Sequence, residues 1–456
     1  MATQKPFEIA IVGGGITGLT LAIALHHRGI KIQIYEAAKA FGEIGAGVSF
    51  NANAVGSMKI CHDEVYDAFL KVRTRNLWPS KEKVWFDYHD AFGDEGDELE
   101  TSKLVYVSSR LKYSSPFEQP ADDGLQTIYS SIGQNGVHRA RYLECLIHLV
   151  PDELCHFNKR LKNIVQTDAG RSTLHFADGS TAEADAIIGC DGIKSNVRRL
   201  LHGDDHPCAQ PTFTHKIAYR GVVPMEQAIK AVGEERASNA CMYLGPGGHM
   251  LTFPVNHGQT LNIVAFTTKD EDWTTLTGQS SDKLTAPTKR EKAIKDFAGF
   301  SGDVQRLLRL TAEDLDIWAI FHLGDNPPPS YAKGNIAILG DAAHATSPHH
   351  GAGAGMCIED SAVMAELLAD TAVQTREDVE VVFATFSELR KERGDGLVQS
   401  SARQGRIYEW QTEYGRDFGM QEEEIKKRNA RTGEVNVGKL VEDAREVLRK
   451  RLADRS

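Results

Sequence analysis

Apolar and polar positions recur along this chain with two different periods, and the places where the period changes outline its elements. Glu8-Ile9-Ala10-Ile11-Val12 carries an apolar run too short for a helix, so it reads as a buried strand. Ile16 to His27 is apolar at most positions and is followed by Gly29, which marks a buried helix and its stop; Ile30 to Tyr35 is a second strand. Strand, helix and strand in this order make a βαβ unit. Gly136 to Leu149 is apolar at helical spacing, and a helix is predicted over 139–150. Leu161 to Gln166 and Ser172 to Phe176 alternate with period two, Asp178-Gly179 is a turn, and Ala186-Ile187-Ile188-Gly189 is a buried strand.

From about 207 to 325 strand-like pieces dominate, among them Lys216 to Val223, Met250 to Val255 and Leu261 to Phe266, with one helical stretch near 289–309. Asn326-Pro327-Pro328-Pro329-Ser330 can continue neither a helix nor a central strand and marks a crossing between domains. The strand Ile336 to Leu339 and a long glycine-led helix come next. Residues 78–113 are polar, aromatic and irregular. Residues 376–456, rich in Glu, Lys and Arg at helical spacing, read as solvated helices packed on the body.

Composition narrows the class. A hydrophobic share of 41% with 25% charged residues is that of an ordinary globular protein, and 456 residues suit two or three domains. A formal net charge of -11 disfavours a polyanion-binding surface, so nucleic acid is not an expected partner. The seven cysteines (Cys61, Cys145, Cys155, Cys190, Cys208, Cys241 and Cys357) have no CxxC spacing, which fits a reducing compartment and gives no zinc or disulfide framework. The polar opening Met1 to Glu8 lacks signal-peptide character, and glycines break Ile9 to Leu25, so a cytosolic protein without a membrane span is expected.

Three motifs carry chemistry. Gly13-Gly14-Gly15-Ile16-Thr17-Gly18 is GxGxxG directly after a strand and opening a helix, with Glu36 closing the second strand. Such glycines let backbone approach a pyrophosphate at the positive end of a helix, and the carboxylate accepts hydrogen bonds from a ribose diol. An acid at that strand end repels a 2'-phosphate, so the ligand is FAD or NAD. Cys190-Asp191-Gly192, with Ser195 and Arg198, and Gly340-Asp341-Ala342-Ala343-His344, with Gly351 to Gly355, repeat the order of strand, acid and glycine. His344, His349 and His350 beside Asp341 do not read as a metal site, because their glycine-rich setting lacks the rigid convergence that ligands need.

Together these motifs resemble the fingerprints of the single-component FAD-dependent aromatic hydroxylases, the p-hydroxybenzoate and salicylate hydroxylase type, over about residues 8–400. The resemblance implies an α/β chain in which a Rossmann-type FAD domain (1–75, 116–205 and 327–375) is interleaved with a mixed-sheet substrate domain (76–115 and 206–326), before a C-terminal helical region (376–456). It assigns FAD to Gly13, Gly15, Gly18, Glu36 and Asp191, the ribityl chain to Asp341, and the flavin ring to the backbone of Gly353 and Ala354. Arg139 resembles the family's FAD-contacting arginine, and Gly47 and Ser49 lie in a segment that resembles its flavin-facing loop. NAD(P)H is implied as co-substrate without a second dinucleotide domain.

On the substrate side, strand periodicity in His215-Lys216-Ile217-Ala218-Tyr219-Arg220-Gly221 puts His215, Ile217 and Tyr219 on one face and Lys216, Ala218 and Arg220 on the other, unless a bulge intervenes. His215 and Tyr219 resemble a pair lining salicylate-like hydroxylases, whereas Arg220 resembles the phenolate-holding arginine of fungal enzymes that dearomatise polyketide phenols. Where the latter often carry a Tyr on the next strand, this chain has Phe253, and Tyr129 or Tyr243 is a candidate replacement. The expected reaction is hydroxylation of a phenol by O2 through a flavin hydroperoxide, with Arg220 stabilising phenolate and His215 accepting its proton. Dearomatisation of a polyketide phenol and salicylate-type decarboxylation both remain open. A flavin oxidase or a non-catalytic FAD-binding protein is the alternative of another class.

Overall fold

Three glycine-and-acid turns far apart in sequence meet because the strands before them are neighbours in one parallel sheet. In the computed structural model, which describes residues 5–41, 47–93, 100–105, 127–129, 131–167, 170–280 and 282–455, Glu8–Val12 lies between Lys31–Tyr35 and Ala186–Gly189. Ile336–Ile338 pairs in parallel with the far side of Ala186–Gly189. The sheet order is Ala332–Lys333, Ile336–Ile338, Ala186–Gly189, Glu8–Val12, Lys31–Tyr35 and Cys155–His156. Ile9, Ile11, Ile187, Ile188 and Ile338 are wholly buried in it, as near-continuous apolar strands covered on both faces must be. Helices Ile16–His27 and Gly353–Ala369 pack together on the sheet and extend the same core.

The second sheet has nine strands among the described residues. Its main path runs Thr285–Lys289, Asp314–His322, Thr212–Pro224, Thr260–Thr268, Gly248–Val255, Cys241–Gly245, Val84–Asp90 and Lys103–Leu104, with Thr127–Tyr129 paired to Val84–Asp90. Its outer face packs on helices such as Met225–Val232 and Gly302–Arg309 through Ile217, Tyr219, Ile263 and Leu307. The inner face, with Trp85, Met242 and Phe253, turns toward the parallel sheet and the C-terminal helices.

Several elements differ from the sequence reading. The helix predicted over 139–150 starts at Arg139, directly after the strand Gly136–His138 that pairs with Gly47–Ser49, but it ends earlier, at Ile147. Two helices, Arg290–Asp296 and Gly302–Arg309, replace the single stretch near 289–309, separated by the bend at Phe297 to Ser301. Val84–Asp90 is a strand buried on both faces within a segment read as irregular; Asp87 and Asp90 hide its period because Lys81 and Arg416 neutralise them. The charged C-terminal region is also more deeply integrated than solvated helices are. In Asp378–Tyr408, Val382, Phe383, Phe386 and Arg390 are buried, and Val437–Arg455 presents Val441, Ala444, Leu448 and Leu452 as one apolar stripe.

Candidate active site

A cavity of about 540 Å³ begins at the carboxyl ends of the three parallel strands and extends to the inner face of the second sheet. Its lining changes from backbone and carboxylate at Gly13, Glu36 and Asp341 to apolar groups at Trp85, Phe253 and Phe266. A crevice at this edge of an α/β sheet is where nucleotides bind.

The first turn requires its glycines. Gly13 has φ +107, and a Cβ there would lie 2.4 Å from the Cys190 carbonyl oxygen. A Cβ at Gly18 would lie 2.0 Å from the Gly13 carbonyl oxygen, so Gly18 closes the helix onto the turn, and Gly15 is the residue that opens the helix. The Glu36 carboxylate accepts from the Gly14 and Ala38 N–H groups, each at 2.7 Å. These two bonds fix its direction and leave further lone pairs for a ribose diol.

Asp191 accepts from Ser195 Oγ and from the Asn196 and Val197 N–H groups, capping the helix Asn196–His202 from within the cavity wall. Burial raises its pKa against these bonds. The wholly buried Arg198 donates to the carbonyls of Ile193, Cys208, Ala209 and Ala342, fastening the second motif to the third. There Gly340, at φ +60, donates its N–H to Asp360, which also binds His344 at 2.6 Å and Arg390 at 2.7 Å. Burial opposes charge on His344, but the Asp360 carboxylate outweighs it and raises the His344 pKa. Asp341 thus starts its short helix on a rigid support and lines the cavity.

Gly353 and Ala354 form the first turn of Gly353–Ala369, whose N-terminus opens on the same cavity. Gly47 donates its N–H to Asn262 at 3.2 Å, and a Cβ on it would lie 2.6 Å from the Phe253 ring. Ser49 accepts from Gln134 Nε2 at 2.7 Å. Arg139 lines the cavity at the start of its helix and lies close enough to Arg220 to act on it electrostatically.

The substrate-side residues separate. From Lys216 onward the strand Thr212–Pro224 alternates as expected, and Arg220 faces the cavity with its guanidinium 4.5 Å from the Trp318 ring. Its Nε has no hydrogen-bond partner among the described residues, and no carboxylate among them pairs with it. Burial, with Arg139 second, lowers its pKa to about 10. Tyr219 points into the outer-face core and donates to Asp296 at 2.5 Å. His215 sits in a register irregularity with φ +57, its side chain 46% exposed and 3.7 Å from Asp272. The proton-accepting role expected of His215 and the lining role expected of Tyr219 are therefore corrected: a bulge turns one outward, and strand alternation buries the other behind the sheet. Tyr243 also lies on the far face, stacked on His89 at 5.2 Å. Tyr129 is placed in an edge strand opposite Val84, but its side chain lies outside the described residues.

Among the wall residues, Trp85 and Tyr408 escaped the sequence reading, and His349 entered it only as a rejected metal candidate. Tyr408 closes the long C-terminal helix, with its hydroxyl 2.8 Å from Gln404 Nε2 and 3.3 Å from the Tyr88 hydroxyl. His349 is buried with neither ring nitrogen partnered among the described residues, whereas His350 is held by Asn429 and Ser400. The signal for His349 was present, as one of two histidines directly before the Gly351 to Gly355 run.

FAD fits this lining. The cradle at Gly13 has no room for a side chain, the acid at Glu36 is aimed by backbone, and two helix N-termini open on one elongated cavity.

Comparisons with known proteins agree. Residues 154–401 match the family described as "FAD binding domain", and residues 11–90 match an "NAD(P)-binding Rossmann-like domain". The chain is 40% identical to "FAD-dependent monooxygenase pigN" of Monascus ruber, covering 98% of each chain. It is 36% identical to "6-methylsalicylate 1-monooxygenase atA" of Aspergillus terreus, over 88% of this chain and 83% of that one. A solved "Salicylate hydroxylase substrate complex" superposes with a TM-score of 0.78 at 28% identity, covering 96% of this chain and 98% of that one. With the cavity, its glycine cradle and these matches in hand, the chain belongs to the FAD-binding-domain family and is an FAD-dependent monooxygenase of the aromatic hydroxylase type.

Proposed function

We propose that this enzyme uses NAD(P)H and O2 to hydroxylate a polyketide-derived phenol, with dearomatisation of the ring. The observation that carries the reading is Arg220, a half-buried arginine whose Nε is buried and unpartnered and which has no counter-ion among the described residues, at the apolar end of the cavity. Bound FAD supplies the redox and oxygen-transfer chemistry; the chain's residues hold the ring and set its charge. Gly13, Gly15, Gly18, Glu36, Asp191, Asp341, Arg139, Gly47, Ser49, Gly353 and Ala354 hold the cofactor in this reading, Gly18 by shaping the turn rather than by lining the cavity. A phenol seated against Arg220 ionises more easily, because a nearby positive charge in a poorly solvated pocket stabilises phenolate. Phenolate is the more nucleophilic ring. Trp85, Phe253 and Phe266 keep water from the reacting atoms.

Salicylate-type decarboxylative hydroxylation is the second reading. The guanidinium geometry of Arg220 suits a carboxylate equally well, and two similar proteins are named "Salicylate hydroxylase asL1" and "6-methylsalicylate 1-monooxygenase atA". The test is turnover of acylated resorcinol aldehydes and of salicylates with NADH and with NADPH, followed by product mass. Addition of one oxygen with retention of all carbons supports the first reading, and loss of carbon dioxide supports the second. Nicotinamide consumption that yields only hydrogen peroxide with every phenol refutes both.

A further inference from the structure

Behind His349 the cavity wall continues into a buried polar chain that the flavin site does not use. The His249 ring stands edge-on to His349, with centroids 5.1 Å apart, and is sandwiched against Phe266 at 4.7 Å. His249 Nδ1 is 3.0 Å from Glu409 Oε1, while its Nε2 is buried and unpartnered among the described residues. Glu409, wholly buried, also accepts from Lys216 Nζ and, at 2.7 Å, from Thr268 Oγ1. Thr268 is half-buried and in reach of Gln411 at 3.3 Å, so the chain ends near solvent. Glu409 directly follows the helix Asp378–Tyr408. One turn earlier, a Cβ on Gly405 would lie 2.5 Å from His349 Cδ2, so that glycine seats the His349 ring.

A buried carboxylate, ammonium and imidazole cost several kcal/mol in desolvation, and a structural role alone is served as well by apolar residues. What the arrangement offers is a run of proton-holding groups from the cavity to the exterior, hydrogen-bonded from His249 outward and in edge-on ring contact at the His349–His249 step, where a turn of the His349 ring must close the gap. We propose that the end of the long C-terminal helix belongs to the catalytic machinery: Glu409, clamped by Lys216 and Thr268, holds His249 beside His349 so that the substrate's hydroxyl proton leaves the pocket through His349, His249 and Glu409. This rests on the phenolic reading above. The step is balanced: the substrate O–H bond breaks, its electrons stay on oxygen opposite Arg220, and one proton passes to solvent near Thr268.

Burial, and after it the facing groups His249, Lys216, His350 and His322, push the His349 pKa well below the ordinary value. Its ring is therefore neutral and can take a proton only in passing. Burial also lowers the pKa of His249, against the pull of Glu409. Although burial opposes its charge, Glu409 is held ionised by His249 and Lys216.

The test compares FAD-loaded wild type, Glu409→Gln and the charge-balanced pair Lys216→Met with Glu409→Gln. Stopped-flow absorbance follows the ionisation of 4-nitrophenol after it binds, a readout that needs no turnover. A relay predicts that ionisation slows at least about tenfold in both variants while flavin content stays at the wild-type level. With whichever phenol the wild type hydroxylates, kcat falls by a similar factor and KM stays within about twofold. The double variant carries the test if Glu409→Gln alone does not fold, since it leaves no buried lysine unpaired. Wild-type ionisation rates in either folded variant overturn the relay. Failure of the wild type to oxygenate any phenol overturns the phenolic reading instead, and the two failures are distinct.

Discussion

The two ends of the cavity are made of different material. At the nucleotide end the lining is largely backbone: Gly13 takes a position that a side chain would spoil, the first turn of Gly353–Ala369 opens on the cavity, and the Asp191 and Glu36 carboxylates accept from nearby N–H groups. At the substrate end the lining is side chains brought together from strands, from the turn before the glycine-led helix and from the C-terminal helix: Arg220, Trp85, Phe253, His349 and Tyr408. A backbone-built site demands particular residues at fixed spacing, so it leaves a motif. A site built from side chains demands only shape and charge, so different sequences satisfy it and substrates diverge while the cofactor stays.

Substitutions can break that contrast. The largest effect is expected from Gly13→Ala, whose methyl would press on the Cys190 carbonyl at a φ of +107; the purified protein should lose its bound flavin, read as the ratio of visible to ultraviolet absorbance. Next is Arg390→Met. It removes the buried arginine shared by Glu359 and Asp360 beneath the third motif, leaving Arg393 and His344 as their charged partners, and thermal unfolding should report a loss of roughly 3 kcal/mol.

The same network sets an acid limit. Burial opposes the charge of Glu359, but Arg390 and Arg393 hold its pKa at about 2, against an ordinary value of 4.5. A depressed folded pKa stabilises above the ordinary value, and that contribution is lost as pH falls through the folded one. Stability should therefore decline between about pH 4.5 and 2, as measured by denaturant midpoints across that window, and Arg390→Met should flatten the slope.

Arg220→Ala should act on chemistry alone, cutting product formation at least about a hundredfold while flavin content stays near wild type. Product yield within a few fold of wild type would remove its role. The smallest effect is expected from Tyr219→Phe, which removes one hydrogen bond to Asp296 behind the sheet. It should cost about 1 kcal/mol of stability and leave kcat unchanged; a large fall in kcat would return Tyr219 to the substrate.

The same contrast explains what could be read from the chain. The βαβ start, the three glycine-and-acid turns and the long glycine-led helix were legible because each imposes a local rule on residue type. Period two put Arg220 and Tyr219 on opposite faces but did not say which of them meets the cavity. The outward turn of His215 was not legible, because a two-residue irregularity at Thr214 and His215, the latter with positive φ, is invisible in a pattern of apolar positions. Val84–Asp90 was missed because its buried acids, one on each face, are neutralised by Lys81 and Arg416, partners that only the tertiary fold supplies. Tyr408 and Glu409 were hidden in a charged segment whose glycines, Gly394 and Gly405, are the places where His344 and His349 press against the helix.

The pairing of Ile336–Ile338 with Ala186–Gly189, fastened by Arg198, has a consequence for biosynthesis. A nascent chain that has just emerged through the first two turns holds half a cradle with an open sheet edge. Cofactor capture must wait until the ribosome has delivered the third turn, so apoprotein released early by truncation exposes a sticky β edge instead of a yellow enzyme.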